Sequence, residues 1–275
     1  MSQEDMPSCR STESFAMSHI VTLTTDLGSE DYYAAILKGQ LYSHIPDVQV
    51  VDITHDIETY DIVQGALFLG TAYPSFPRGT IHLALVHAYY KPGHRLIAFS
   101  KDGHHFVGPD NGLFSLIWAD FDQTEVYAID STKLTDATLT RLLTHVASGL
   151  AHELPLAEMG AKVDDPSQRM SIQPVVTADQ IRATIIHIDR FDNAIINLKK
   201  DTFDQLRAGR RIKLYYKHDD PLYKFSQDYT DVGVGEPLAM WNEAGYLEIA
   251  VNLGKASSLY NLNKNETIQI YFLDA

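Results

Sequence analysis

Ile20-Val21-Thr22-Leu23-Thr24-Thr25-Asp26-Leu27-Gly28 is the stretch that decides the fold. Its β-branched, apolar start reads as a buried strand. The strand delivers Asp26 to its carboxyl end, and Gly28 lets the chain turn into the next element. A carboxylate at that place suits a ribose diol, because its two oxygens accept from adjacent hydroxyls. Taken alone, the stretch reads first as a simple turn, since many core strands end in Asp-x-Gly.

Working outward, strand and helix alternate. Asp31 to Ser43 places Tyr33, Ile36, Leu37 and Leu41 at helical spacing. Val48 to Ile53 is the next strand, Ile62 to Tyr73 a second, largely buried helix, and Ile81 to Val86 a third strand. Leu96 to Ser100 and His105 to Val107 form a pair of strands around Lys101-Asp102-Gly103. Phe114 to Trp118, Glu125 to Ile129 and Leu139 to Ala151 continue the pattern. This predicts an α/β domain, with a mostly parallel sheet and helices on both faces.

The character changes after Met159-Gly160. Residues 164–174 are polar and carry turn formers, as a linker does. Beyond them the runs are short and β-rich: Ile181 to Ile188, Ala194 to Leu198, Arg211 to Tyr216, Gly245 to Asn252 and Thr267 to Phe272, with a short helix over Thr202 to Ala208. They predict an all-β, barrel-like domain. The expected organisation is a disordered leader over 1–16, an α/β domain over 17–163, the linker, and the β domain over 175–275. The start at Met1 and a start at Met17 both remain open.

The 275 residues carry a net charge of -14, which argues against a nucleic-acid surface. The single cysteine, Cys9, fits a reducing cytoplasm and has no catalytic role here. No apolar stretch approaches the ~20 residues of a membrane span, and the polar leader lacks the apolar core of a signal peptide.

Six segments in series carry a resemblance. They are Ile20 to Gly28, Val51-Asp52-Ile53-Thr54-His55, Phe76-Pro77-Arg78-Gly79-Thr80-Ile81-His82, Phe106-Val107-Gly108-Pro109-Asp110-Asn111-Gly112-Leu113, Ile188-Asp189-Arg190-Phe191-Asp192-Asn193 and Leu247-Glu248-Ile249-Ala250-Val251-Asn252. Together they resemble the S-adenosylmethionine hydroxide adenosyltransferase family, relatives of the fluorinase and chlorinase enzymes. The resemblance implies an N-terminal α/β domain and a C-terminal β-barrel. It also implies a homotrimer with sites between subunits. In such enzymes water, hydroxide or halide attacks C5′ of the ribose. Methionine departs as a neutral thioether, so no general acid is needed; the work is positioning and desolvating the nucleophile.

By that resemblance, Asp26 holds the ribose hydroxyls, Asp189 meets the methionine ammonium, Asn193 reads adenine, and Tyr60 lines the ribose and sulfur region. The residue-level alternatives are a strand-end turn for Asp189 and a core ring for Tyr60. Asp192 stands where the family usually has Gly, so that position is expected to need an unusual backbone angle, which Asp tolerates better than most residues.

The hydrolytic members carry an Asp-Arg-His triad around the nucleophilic water. Here the Asp position falls on His87, Arg95 matches the Arg, and the His-Gly-Arg-Asp segment is absent near Thr138-Leu139-Thr140-Arg141. His87 is the candidate to orient or deprotonate water. Arg95 is the candidate to hold the nucleophile, with Tyr89, Tyr90 and His94 supplying nearby hydrogen bonds. The expected activity is hydrolysis to adenosine and L-methionine, with no cofactor required. Two alternatives stay open: an inactive adenosyl-ligand binder, and adenosyl transfer to another nucleophile.

Twelve histidines invite a metal reading, but none has the spacing of a compact zinc motif, which leaves a metal hydrolase as a minor alternative. His82 reads as a satisfied core histidine, and His104-His105 as part of a hairpin. No G-x-G-x-x-G, Walker loop or G-x-S-x-G elbow is present. Tyr215-Tyr216-Lys217-His218 reads as a strand with exposed tyrosines rather than a base-stacking platform.

Overall fold

A computed structural model of the chain describes residues 19–88, 95–130, 138–217 and 220–273. The expected leader, and Tyr89, Tyr90, His94 and His218, lie outside the described residues. The chain divides into two compact units. The first spans residues 19–114 and 118–167; the second spans 115–117 and 168–273.

The first unit is built on β1 (Ile20–Thr25), α1 (Tyr33–His44), β2 (Gln49–Thr54), α2 (Ile62–Ala72), β3 (Ile81–Leu85), β4 (Leu96–Lys101) and β5 (His104–Pro109). It continues through α3 (Leu113–Ile117), β6 (Val126–Ile129), α4 (Leu139–Ala151), α5 (Leu156–Met159) and β7 (Gly160–Val163). The strand order is β2-β1-β3-β5-β4-β6-β7. The pairings β1–β2, β1–β3 and β3–β5 are parallel; β4–β5, β4–β6 and β6–β7 are antiparallel. The sheet is therefore mixed, and less parallel than the alternation of elements predicts. The reason is the hairpin through Asp102 and Gly103: it reverses β4 within the sheet, where a helical crossover would keep strands parallel.

Alternation along the strands separates two faces. Val21, Leu23, Ile81, Leu83, Leu85 and Val107 pack with Leu37 and Leu41 of α1 and Leu142, Leu143, Val146 and Leu150 of α4. Each such fully buried aliphatic side chain contributes about 1.5–3 kcal/mol. Thr138 caps α4 by accepting from Arg141 N–H. On the other face, Phe99, Phe106, Phe114 and Phe121 form an aromatic layer with Trp118 and Tyr73. Gly108 has no room for a side chain, since a Cβ there would meet Ala84 O at 2.5 Å.

His82 lies in that second layer, completely buried. Its Nδ1 is 2.7 Å from Thr22 Oγ1 and its Nε2 is 3.1 Å from His104 Nδ1. It is the satisfied core histidine the sequence suggests. Burial, with His104 and His105 beside it, pulls its pKa down to about 3.

The second unit contains β8 (Val175–Val176), β9 (Gln180–Ile188), β10 (Ala194–Lys199), α6 (Lys200–Arg207), β11 (Arg211–Tyr215), β12 (Pro221–Leu222), β13 (Pro237–Trp241), β14 (Tyr246–Val251), α7 (Ala256–Tyr260) and β15 (Thr267–Leu273). All pairings between these strands are antiparallel, in the order β12-β11-β15-β9-β10-β14-β13, with β8 on β9. The sheet is barrel-like and nearly closed. Long β9 makes the bend, pairing β15 through residues 180–184 and β10 through 185–188. Phe203 of α6 fills the interior against Phe225, Trp241 and Phe272. Tyr216 is 5% exposed and belongs to this core, so of the two adjacent tyrosines only Tyr215 faces outward.

Candidate functional site

In the first unit the strand order 2-1-3 has a physical consequence. The chain leaves β1 toward one side and returns for β3 on the other, so the carboxyl ends of β1 and β3 flank a crevice, the usual ligand position in open α/β sheets. Asp26 stands directly after β1 and His87 two residues after β3. Gly28 (φ 75°) completes the turn, its N–H donating to His55 O at 2.8 Å.

Asp26 bridges the crevice. Its Oδ2 accepts from Tyr60 N–H and from His87 N–H, both at 3.0 Å. Tyr60 and His87 each have a left-handed backbone, at φ 70° and 54°. That conformation costs a residue with a side chain roughly 1–2 kcal/mol and concentrates at functional sites. Their rings lie 4.9 Å apart, and Tyr60 is 57% exposed. Tyr60 is thus a surface ring at the crevice and not a core ring.

Behind Asp26 lies a second polar layer. Thr25 Oγ1 is 2.8 Å from His55 Nδ1, and it also accepts from Leu27 N–H at 3.3 Å. His55 Nε2 is 3.1 Å from Asp52 Oδ1, and Asp52 Oδ2 takes Lys38 Nζ.

Arg95, directly before β4, is anchored by carboxylates. Its Nε donates to Asp110, and its Nη atoms reach Asp165 Oδ1 at 3.2 Å and Asp165 O at 2.7 Å. The Asp110 side chain is 2% exposed and also accepts from Ser167 N–H at 2.8 Å. Desolvation works to lower the Arg95 pKa, but the two carboxylates outweigh it and raise it.

In the second unit, Asp189 follows β9. Its Oδ1 accepts from Phe191 N–H at 2.9 Å and Asn193 N–H at 2.8 Å; its Oδ2 accepts from Asn193 Nδ2 at 3.2 Å. Asp189 therefore does form the strand-end turn and fixes the Asn193 amide as it does so. Asp192 has φ 70°, the unusual angle expected at that position. Its carbonyl takes Ser257 N–H at 2.9 Å and its Oδ2 takes Ser258 N–H at 2.7 Å, tying down the first turn of α7.

Beside Asp189, Glu248 on β14 is 3% exposed and accepts from Tyr229 OH at 2.7 Å. Burial raises its pKa; the Tyr229 hydrogen bond works against this and the Asp189 charge adds to it.

The structure thus brings Asp26, Tyr60 and His87 together in the first unit, and Asp189 and Asn193 together in the second. Sequence reasoning assigned no role to His55, Asp110 or Glu248, although all three stand in the motifs quoted above. Among the described residues no three His, Cys, Asp or Glu are placed to hold a metal ion. No helix among them is long and apolar enough to cross a membrane.

Residues 21–160 match the profile of the SAM hydroxide adenosyltransferase N-terminal domain, and residues 183–269 that of its C-terminal domain. A Methanocaldococcus jannaschii (R)-S-adenosyl-L-methionine hydrolase is 28% identical over 266 residues, covering 92% of this chain and 96% of its own. An Actinopolyspora mzabensis fluorinase is 25% identical over 289 residues, covering 91% and 96%. An uncharacterised conserved Thermotoga maritima protein has the same fold, with a TM-score of 0.79 at 25% identity over 91% of this chain and 99% of its own.

Proposed function

This chain belongs to the SAM hydroxide adenosyltransferase family, and we propose that it hydrolyses S-adenosyl-L-methionine to adenosine and L-methionine. The observation that carries the reading is Asp26, fixed at the β1/β3 crevice by two main-chain amides. Relatives named as SAM hydrolases support the same chemistry.

Oδ1 of Asp26 is the acceptor we assign to the ribose diol, since Oδ2 already holds two N–H groups. Tyr60 lines the ribose and sulfur. Asp189 meets the ammonium and Asn193 the adenine. The exposed acids Glu30, Asp31, Asp56 and Glu58, which follow β1 and β2, favour approach of a ligand carrying sulfonium and ammonium charges.

Water attacks C5′ in line with the C5′–S bond, whose electron pair leaves with sulfur. His87 takes the proton that water loses. The balance is one water consumed and one proton released, with no cofactor entering. Arg95, pinned by Asp110 and Asp165, is assigned as the fixed positive charge that steadies the nucleophile. We propose further that the protein works in the cytoplasm as a homotrimer, with Asp189 and Asn193 supplied by a neighbouring subunit.

That same pairing of Arg95 favours a second reading, in which the ligand is bound and not turned over. Incubation with S-adenosylmethionine, followed by chromatography, separates the two. Adenosine and methionine in equal amounts support hydrolysis. Tight binding without adenosine leaves the binding reading standing, and binding of neither ligand nor product removes both. His87→Asn, which tolerates the left-handed backbone, should lower kcat by about 10²–10⁴-fold with KM little changed if His87 is the base.

A further inference from the structure

We infer that His55 is a positioning residue for the ribose anchor, acting through Thr25 on Asp26; this rests on the reading of Asp26 as the group that holds the diol. Three bonds carry it. The His55 carbonyl accepts Gly28 N–H at 2.8 Å. The His55 ring meets the Thr25 hydroxyl at 2.8 Å. That same hydroxyl oxygen accepts Leu27 N–H at 3.3 Å. His55 therefore grips the Asp26-Leu27-Gly28 turn on both sides, from the end of a different strand.

The Thr25 hydroxyl and the His55 ring share one hydrogen bond, while the same oxygen accepts Leu27 N–H. The other ring nitrogen, Nε2, faces Asp52 Oδ1 at 3.1 Å. That contact is not aligned as a hydrogen bond. Asp52 is in turn fixed by Lys38 of α1.

Thr25 is wholly buried and His55 is 8% exposed, so both lie behind Asp26 and reach the ligand through it in this proposal. A hydroxyl, an imidazole and a carboxylate in sequence resemble a nucleophile triad, but the buried hydroxyl has no access to a reacting carbon. What the chain of groups can do is set the angle at which Asp26 leaves β1. A two-point hydroxyl contact needs that angle fixed closely, whereas a merely folded turn does not.

The test measures diol recognition, apart from turnover. Adenosine and 2′,3′-dideoxyadenosine are titrated into the wild-type protein, Thr25→Val, Thr25→Ser, His55→Ala and His55→Asn. Thr25→Val keeps the shape of the side chain and removes only the hydroxyl. Asn at 55 returns a polar group able to bond the Thr25 hydroxyl in either direction. We expect the preference for adenosine over the dideoxy compound to fall about tenfold in Thr25→Val and His55→Ala, as loss of one such bond implies. Thr25→Ser and His55→Asn should restore most of it. With S-adenosylmethionine, KM should rise while kcat stays within about threefold. The double variant Thr25→Val/His55→Ala should be no worse than either single one.

A wild-type protein that prefers adenosine, with variants that keep the same ratio, overturns this inference and leaves the hydrolase reading intact. A wild-type protein blind to the diol overturns the role of Asp26 itself. Variants that lose affinity for both nucleosides equally reveal a general folding effect, which also overturns it.

Discussion

Tyr60 and His87 come from different loops, yet each donates its backbone N–H to the same oxygen of Asp26, and their rings stand 4.9 Å apart. Both have left-handed backbones without being glycine. The Asp26 carboxylate is thus the tie that holds two strained loops against the end of β1.

Removing that tie has two effects. Asp26→Ala should weaken S-adenosylmethionine binding by about 10–150-fold, the equivalent of a charge-assisted hydrogen bond of about 1.5–3 kcal/mol. It should also loosen Tyr60 and His87. Calorimetry reads the first effect, and amide hydrogen exchange at residues 60 and 87 reads the second. Unchanged affinity would remove Asp26 from the site.

Asp192 offers a cleaner separation of backbone and side chain. Asp192→Ala loses the bond to Ser258 N–H and keeps a Cβ at φ 70°. It should destabilise the protein by about 1–3 kcal/mol. Asp192→Gly loses the same bond but relieves the backbone, and should cost less than Asp192→Ala. Urea denaturation of the pair gives the order; equal losses would show that the left-handed angle carries no strain.

Glu248 predicts a pH dependence of known sign. Its folded pKa is raised above the unfolded value, so protonated Glu248 favours the folded state at low pH. That stability is lost as pH rises through the folded pKa. Glu248→Gln keeps an acceptor for Tyr229 OH and removes the charge beside Asp189. It should be more stable than wild type at pH 7, with the gain vanishing near pH 4. A gain of the same size at both values would sink the account.

His82 works in the opposite sense. Its pKa is lowered to about 3, so the unfolded chain binds a proton that the folded chain refuses. The stability due to the neutral ring is present above the unfolded pKa and lost as pH falls from about 6.5 toward 3. The His104 and His105 pKa values are lowered too, chiefly by burial. His82→Gln should flatten the pH dependence between about pH 6.5 and 5, by up to about 1.4 kcal/mol per unit. Parallel denaturation curves for variant and wild type would show that His82 does not titrate on unfolding.

Much of this fold is legible in the residues. The span of α4 follows from the spacing of Leu142, Leu143, Val146 and Leu150, and β1 and β9 from their β-branched runs. The direction of β4 is not legible, because period-two alternation is the same for parallel and antiparallel neighbours. Strand β13 is hidden as well: it begins with Pro237 and carries no strong alternation. For the candidate site, Asp26 and Asp189 are legible through the family resemblance only, since each taken alone reads as a strand-end turn. His55 and Glu248 are not, since what marks them is burial beside groups 30 and 19 residues away, which chain spacing does not reveal.

Asp26 is held by main-chain amides rather than by side chains. Any residue able to adopt the left-handed conformation at positions 60 and 87 presents the same N–H to it. The side chains at 60 and 87 can therefore be exchanged without dislodging Asp26. If His87 acts on water as proposed, the group that does the chemistry can be replaced while the carboxylate proposed to hold the ribose stays in place.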